Sequence, residues 1–208
     1  MKSPHPLLAN GLLLLGLTLL AVALLSGLQQ LVAERTRQAE RALQSRELNR
    51  LLPPELRDDA LLDSRRDLQH PLLGSIHAQP AYIAQRQGRA VAVILPATAV
   101  DGYNGSIHLQ VAIRADGRIS AVRLLEHRET PGLGDRIEAG KSHWLQGFSG
   151  KSLDDPAAAG WTLKKQQGEF DQFAGATITP RAVVHAVRRT LQYFEAHRQQ
   201  LLDTAGQR

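Results

Sequence analysis

A hydroxyl set among small residues at the mouth of a helix is a place where a phosphate can be held, and the sequence puts one at Thr177. Residues Phe170 to Arg189 read FDQFAGATITPRAVVHAVRR. Ala174, Gly175 and Ala176 carry no bulk, so a ligand can lie against the backbone. Val183, Val184, Val187, Leu191 and Phe194 recur on one face of a helix. Thr179 suits its N-cap and Pro180 its first position. Thr177, two residues before that cap, then lies beside unpaired N–H groups and the positive end of the helix dipole, which favour an anion. The same residues also suit a plain tight turn with nothing bound.

Other chemistry is largely excluded. The chain has no cysteine, which removes disulfides, thiolate-bound iron–sulfur clusters and covalently attached c-type haem. Its eight histidines show no ligand pair four residues apart, so no metal site is expected. No catalytic residue stands out. The net charge is +5, but 25 basic residues are mixed with 20 acidic ones. No recognition helix, zinc pattern or aromatic stacking run accompanies them, and nucleic acid is not an expected partner. Trp144 and Phe148 are read as core and Asp154-Asp155 as a turn; His127, ahead of a glycine-rich loop, is read equally as a strand-end surface residue or as a group that approaches a ligand held there.

The elements that must position Thr177 form an α+β domain. AYIAQRQGRAVAVILPAT, from Ala81, reads as two strands around a Gln87-Gly88 turn. In GSIHLQVAIRADGRISAVRLLEH, Ile107, Leu109, Val111 and Ile113 alternate, Asp116-Gly117 turns, and Ile119 and Val122 begin the return. Pro131, Gly132 and Gly134 then force a loop. A helical stretch is expected over Ile137–Phe148 and a short strand over Gly160–Leu163. The expected fold class is therefore antiparallel β hairpins with flanking helices, preceded by one transmembrane helix.

That helix is residues 6–28, PLLANGLLLLGLTLLAVALLSGL, which are 23 residues without a charge. At about 1.5 Å per residue they reach roughly 34 Å, enough for a hydrocarbon core of about 30 Å. A cleaved signal peptide would carry a shorter apolar run. Beyond it, Leu31–Leu52 continues as a helix that Pro53-Pro54 stops. Arg35, Arg37, Arg41, Arg46 and Arg50 stand among Glu34, Glu40 and Glu47 as a solvated face near the membrane. Counted naively, those arginines put the large domain in the cytoplasm, although long domains cross membranes despite their charge. The expected boundaries are a short cytoplasmic N-terminus at 1–5, the membrane helix at 6–28, a juxtamembrane helix and linker at 29–80, the folded domain at 81–202 and a tail at 203–208.

DQFAGATIT resembles the flavin attachment motif Asp-x-x-Ser/Thr-Gly-Ala-Thr-x-Ser/Thr. That motif belongs to a family holding the G subunit of the Rnf electron transport complex and the C subunit of the sodium-pumping NADH:quinone reductase. HRETPGLGDRIE, His127–Glu138, resembles the family's loop against the isoalloxazine ring. YNGSIHLQVAI, DGRISAVRLLEH and HWLQGFSGK resemble the surrounding segments. The two main motifs occur in order, roughly 45 residues apart, and the resemblance spans about residues 81–200. Length and FDQFAGATITPRAVV bring the chain nearer to the G subunit.

The resemblance implies covalent FMN, joined through its phosphate to Thr177 by an FMN transferase. Gly175 and Ala176 would be close backbone contacts, and Thr179 the trailing hydroxyl residue. Ala174 departs from the family's Ser or Thr. Glu129, Thr130, Leu133 and Gly134 would shape the ring pocket, with Leu133 as an apolar face and Glu129 and Thr130 as polar edges. Asp171 would serve recognition by the transferase. The resemblance also implies an electron-carrying subunit, rather than a stand-alone enzyme, within an ion-translocating ferredoxin:NAD oxidoreductase complex. It would sit in a bacterial inner membrane by a single pass, with the flavin domain in the periplasm and other membrane and peripheral subunits as partners. The C subunit of a sodium-pumping reductase, or an assembly adaptor with a vestigial motif, remain the alternatives.

Overall fold

The computed structural model describes residues 6–56 and 61–203, so the expected N-terminus 1–5 and tail residues 204–208 lie outside the described residues. The chain divides into two compact units at Arg46/Glu47. The first consists mainly of helix α1 (Pro6–Asn49). Within it, Asn10–Gln29 is 20 residues long and apolar enough to cross a membrane, at about 30 Å of rise. Leucines such as Leu12, Leu17 and Leu24 lie bare on its surface. α1 ends at Asn49, ahead of Pro53-Pro54.

The second unit is built on five antiparallel strands in chain order: β1 (Arg66–Leu68), β2 (Gln79–Arg86), β3 (Arg89–Ala99), β4 (Ile107–Arg114) and β5 (Ile119–Glu126). Gln87 and Gly88 join β2 to β3 with φ of 52° and 75°, the left-handed pair that a two-residue hairpin turn requires. Asp116-Gly117 joins β4 to β5, with Gly117 at φ 89°. β3 also pairs with β4 from Ala92 to Ala99, Val93 opposite Ile113 and Leu95 opposite Val111. The two expected hairpins are thus fused into one meander.

Alternation along β3 sends side chains to two covered faces. Val93, Leu95, Ala97 and Ala99 join the main core with Ile107, Leu109, Val111 and Ile113 of β4. The long helix α2 (Ile178–Asp203) lays Val183, Val184, Val187, Leu191 and Phe194 into that core, all fully buried. Ala92 and Ile94 face the other way, against Leu48, Leu51, Leu52 and Leu61. The packed unit therefore begins at Glu47 and takes in residues placed by sequence in the juxtamembrane helix and linker.

Two expected local elements differ. The stretch Ile137–Phe148 is not one helix but two 3₁₀ turns, Gly134–Ile137 and Trp144–Phe148. Ile137, Trp144, Leu145 and Phe148 keep a helical spacing, but Gly140 and Gly147 lower helix propensity there. Gly160–Leu163 forms no ladder. Ala158–Gly160 is a 3₁₀ turn, and Leu163 makes a single bridge to Phe170. Trp161 and Leu163 are nevertheless fully buried. They are apolar because they fill the core, not because they line a strand.

Candidate functional site

The site is two glycine turns pressed together at the start of α2. In the first, the N–H of Leu133 donates to Thr130 O at 3.1 Å, and Gly132 has φ 78°. Thr-Pro-Gly-Leu is the sequence of a type II turn, with proline second and a left-handed glycine third. In the second, the N–H of Ala176 donates to Phe173 O at 3.1 Å, and Gly175 has φ 78°. A Cβ on Gly175 would sit 3.3 Å from Leu133 Cδ2. The turns are in contact, and small residues are what allow it.

Both turns are fastened from beneath. Glu129 is buried, and its carboxyl accepts from the buried Thr179 hydroxyl and, at 3.1 Å, from the N–H of Asn104. The N–H of Glu129 donates to His127 Nδ1 at 3.1 Å, which leaves the ring hydrogen on Nε2, facing Glu138 Oε1 at 3.2 Å. Lys141 Nζ reaches Asp135 Oδ2 at 2.7 Å and Glu138 Oε1 at 2.6 Å. Its hydrogen bonds hold both carboxyls below the usual carboxylate range and raise its own ammonium. The second turn rests on an aromatic cluster. Trp144 and Phe173 lie 5.3 Å apart, Phe148 and Phe170 4.7 Å, and Trp144 Nε1 donates to Asp171 O at 2.8 Å.

Between the turns and the helix start lies a cavity of about 140 Å³, lined by Tyr103, Glu129, Thr130, Leu133, Gly134, Gly175, Ala176, Thr177, Ile178 and Thr179. Eight of the residues singled out by sequence thus meet around one opening. Ala174 and Asp171 do not line it. Both are exposed, and Asp171 pairs with Lys164 Nζ at 2.7 Å. Glu129 is a tied, buried group instead of a free polar edge. A wider groove of about 670 Å³ beside β5, between Ser120–Leu124 and Glu138–Ser149, contains none of the singled-out residues.

α2 begins at Ile178, so Thr177 flanks it, and Thr179 is not the N-cap. The two threonines differ in availability. Thr179 is fully buried, and its hydroxyl is committed to Glu129. Thr177 is half-buried, and among the described residues its hydroxyl has no hydrogen-bond partner. It stands where the opening N–H groups of the helix have no carbonyl a turn earlier within the helix.

The sequence of the chain places it among known proteins. Residues 102–192 match a family described as the FMN-binding domain. The G subunit of the ion-translocating oxidoreductase complex of Pseudomonas aeruginosa PAO1 is 52% identical over 197 residues, covering 94% of this chain and 92% of the relative. Its counterpart in Shewanella loihica is 47% identical over 192 residues, 91% of each chain. The chain belongs to the family of G subunits of ion-translocating oxidoreductase complexes. The Vibrio vulnificus G subunit is 41% identical over 194 residues, 93% of this chain and 92% of its own. At that coverage the likeness to these G subunits takes in most of the chain, and the FMN-binding match contains every residue lining the cavity.

Tyr103 and Ile178 were not anticipated from the sequence. Asn104-Gly105 marks a turn beside Tyr103, but nothing local tells that this turn borders the cavity.

Proposed function

We propose that this chain is the FMN-carrying subunit of a bacterial ion-translocating oxidoreductase complex, with the flavin fastened by a phosphoester to Thr177. The observation that carries the assignment is the contrast between the two threonines at the cavity. Thr177 lines the cavity beside a helix N-terminus with its hydroxyl unbonded among the described residues, whereas Thr179 Oγ1 is buried and bonded to Glu129. The site fits the group. Gly134 and Gly175 remove side chains where a Cβ would meet Glu129, Thr179 or Leu133, and the helix entrance favours phosphate oxygens.

Attachment would proceed from FAD on an FMN transferase. The Thr177 oxygen bonds to the FMN phosphorus, the phosphoanhydride bond breaks, and AMP leaves with the hydroxyl proton formally transferred to it. Asp171, exposed on the approach to the turn, is available to the transferase. Bound FMN supplies one- and two-electron chemistry. The chain's residues hold it: Thr177 covalently, Gly175 and Ala176 by backbone approach, Leu133 and Thr130 at the rim. Glu129 and Thr179 keep the two turns in register. Electrons would pass between this subunit and its partners in the complex. The apolar helix anchors the subunit in the inner membrane with the flavin domain in the periplasm. There a covalent link prevents loss of the cofactor.

The test is flavin fluorescence in a denaturing gel after expression of the full chain with an FMN transferase. The unaltered chain and Thr179→Val are expected to fluoresce, and Thr177→Ala is not. No fluorescence in any of them would replace the carrier reading with that of an assembly subunit. Protection of a single introduced periplasm-side cysteine from an impermeant thiol reagent in intact spheroplasts would overturn the orientation.

A further inference from the structure

We propose that the outer face of the sheet carries a socket for an arginine side chain of a neighbouring subunit; this rests on the chain's place in a multi-subunit complex and not on flavin attachment. β3 turns its even-numbered residues to that face. At one end Leu48, Leu51, Leu52 and Leu61 cover Ala92 and Ile94. At the other a cavity of about 370 Å³ is lined by Pro80, Pro96, His108, Gln110, Leu125 and Glu126 among others. This cavity is short of donors. The ladder between β2 and β3 stops at the pair Tyr82–Ile94. Two residues on in that register stand Pro80 and Pro96, and neither has an N–H for the next rung. Gln110 is 4% exposed, and its Oε1 is buried with no hydrogen-bond partner among the described residues. Native structures rarely leave such an atom unpaired. Glu126 is exposed at the rim and has no ion pair among the described residues.

The chain's own groups do not answer these acceptors. Arg123 stands opposite Gln110 on β5, but its guanidinium is paired with Glu47 at 3.3 Å. His108 is engaged as well, its Nδ1 3.3 Å from Thr98 Oγ1, which also lies 3.3 Å from Gln79 Nε2. No arginine or lysine of the chain lines the cavity. Acceptors without donors, one of them a carboxylate, call for a guest that is positive and only donates. A guanidinium offers five N–H groups in a planar fork and can serve several acceptors at once, whereas an ammonium offers three. Pro80, Pro96, Leu109 and Leu125 give apolar walls for the stem of such a side chain. Leu125, 47% exposed, extends that apolar surface toward the partner.

The test uses the whole complex, purified through a tag on another subunit from cells carrying the unaltered chain or a variant. Phenylglyoxal, which modifies guanidinium groups, is applied, and peptides of the neighbouring subunits are read by mass spectrometry. One neighbouring arginine is expected to be protected beside the unaltered chain. Beside Glu126→Gln or Gln110→Leu it is expected to react at least about tenfold faster. Glu126→Asp keeps the charge and is expected to keep most of the protection. Urea unfolding of the free chain separates contact from folding. Gln110→Leu removes an unpaired buried oxygen, so its midpoint is expected to hold or rise, and Glu126→Gln, at the surface, is expected to leave it unmoved. Equal arginine reactivity in all of these complexes would overturn the socket. So would a neighbouring lysine protected in place of an arginine, or loss of protection confined to a variant whose urea midpoint falls. None of the readouts involves flavin, so a failure of attachment at Thr177 would not be mistaken for a failure of the socket.

Discussion

Thr179 donates its buried hydroxyl to the buried carboxyl of Glu129, 50 residues earlier in the chain. This bond joins the start of α2 to the loop after β5, so the two halves of the site are referenced to one another. Thr179→Val would leave the carboxyl short of a donor at a cost of about 1–3 kcal/mol. Glu129→Gln is expected to cost a similar amount, since one amide oxygen must replace two carboxyl acceptors for Thr179 and Asn104. The double variant is expected to be less destabilised than the sum. Urea unfolding followed by tryptophan emission measures this, because both tryptophans, Trp144 and Trp161, lie in the second unit. Additivity within about 0.5 kcal/mol would show that the pair is not coupled.

Gly134 provides a steric check on the same contact. A Cβ there would lie 2.6 Å from Glu129 Oε2 and 2.7 Å from Thr179 Oγ1. Gly134→Ala is expected to destabilise by about 1–3 kcal/mol through overpacking and to lower flavin loading. Gly140, six residues on, has nothing within reach of an added Cβ. Gly140→Ala is expected to stay within about 0.5 kcal/mol of the unaltered chain. Equal effects of the two in urea titrations would mean that Gly134 is not a packing contact.

Most of the scaffold was legible in the sequence because periodicity reports it directly. Two turn signals and alternating Ile, Leu and Val specified four strands, and Val183 to Phe194 specified α2. The pairing of β3 with β4 was not legible, since alternation identifies a strand but not its neighbour across the loop between them. Within the segment from Ile137 to Phe170, the stretches Ile137–Phe148 and Gly160–Leu163 were misread for a different reason, although its reading as mostly connection after Phe148 agrees with the structure. Its apolar residues, Leu145, Phe148, Trp161, Leu163 and Phe170, are buried by irregular turns whose backbone has no period. At the site, residue types disclosed Thr177 and its small neighbours. Which threonine was free and which was committed depended on Glu129, a partner 50 residues away that local sequence does not reveal.

The aromatic cluster beneath the Phe173–Ala176 turn should control both stability and local order. Phe148 is fully buried, with ring centroids 4.7 Å from Phe170, 5.3 Å from Trp144 and 6.4 Å from Trp161. Phe148→Ala is expected to cost about 3–5 kcal/mol. Loosening of Trp144 and Phe170 would release the segment that carries Phe173 and Ala176. Hydrogen exchange of the Ala176 amide, bonded to Phe173 O, is expected to accelerate more than that of amides in α2. A uniform acceleration would mean that the cluster supports the whole domain without singling out the turn.

The carboxyl–ammonium cluster beside the first turn gives the pH dependence a definite sign. Hydrogen bonds from Lys141 hold Asp135 and Glu138 below the usual carboxylate range, and the reciprocal bonds raise Lys141. For the two carboxyls, the stability contribution is present above the ordinary value, about 4, and is lost as pH falls through their lowered values. For Lys141, it is present below the ordinary value, about 10.4, and is lost as pH rises through the raised one. The cluster therefore contributes a plateau from about pH 5 to about pH 10. Lys141→Met should lower that plateau and move the acid-unfolding midpoint to higher pH, with the two proteins converging once both carboxyls are protonated. The bond from His127 Nε2 to Glu138 remains in the variant, so the loss should be partial. Acid titrations of both proteins, followed by tryptophan emission, provide the check. A midpoint unmoved by Lys141→Met would show that solvent screens these pairs and that the first turn is held by Glu129 alone.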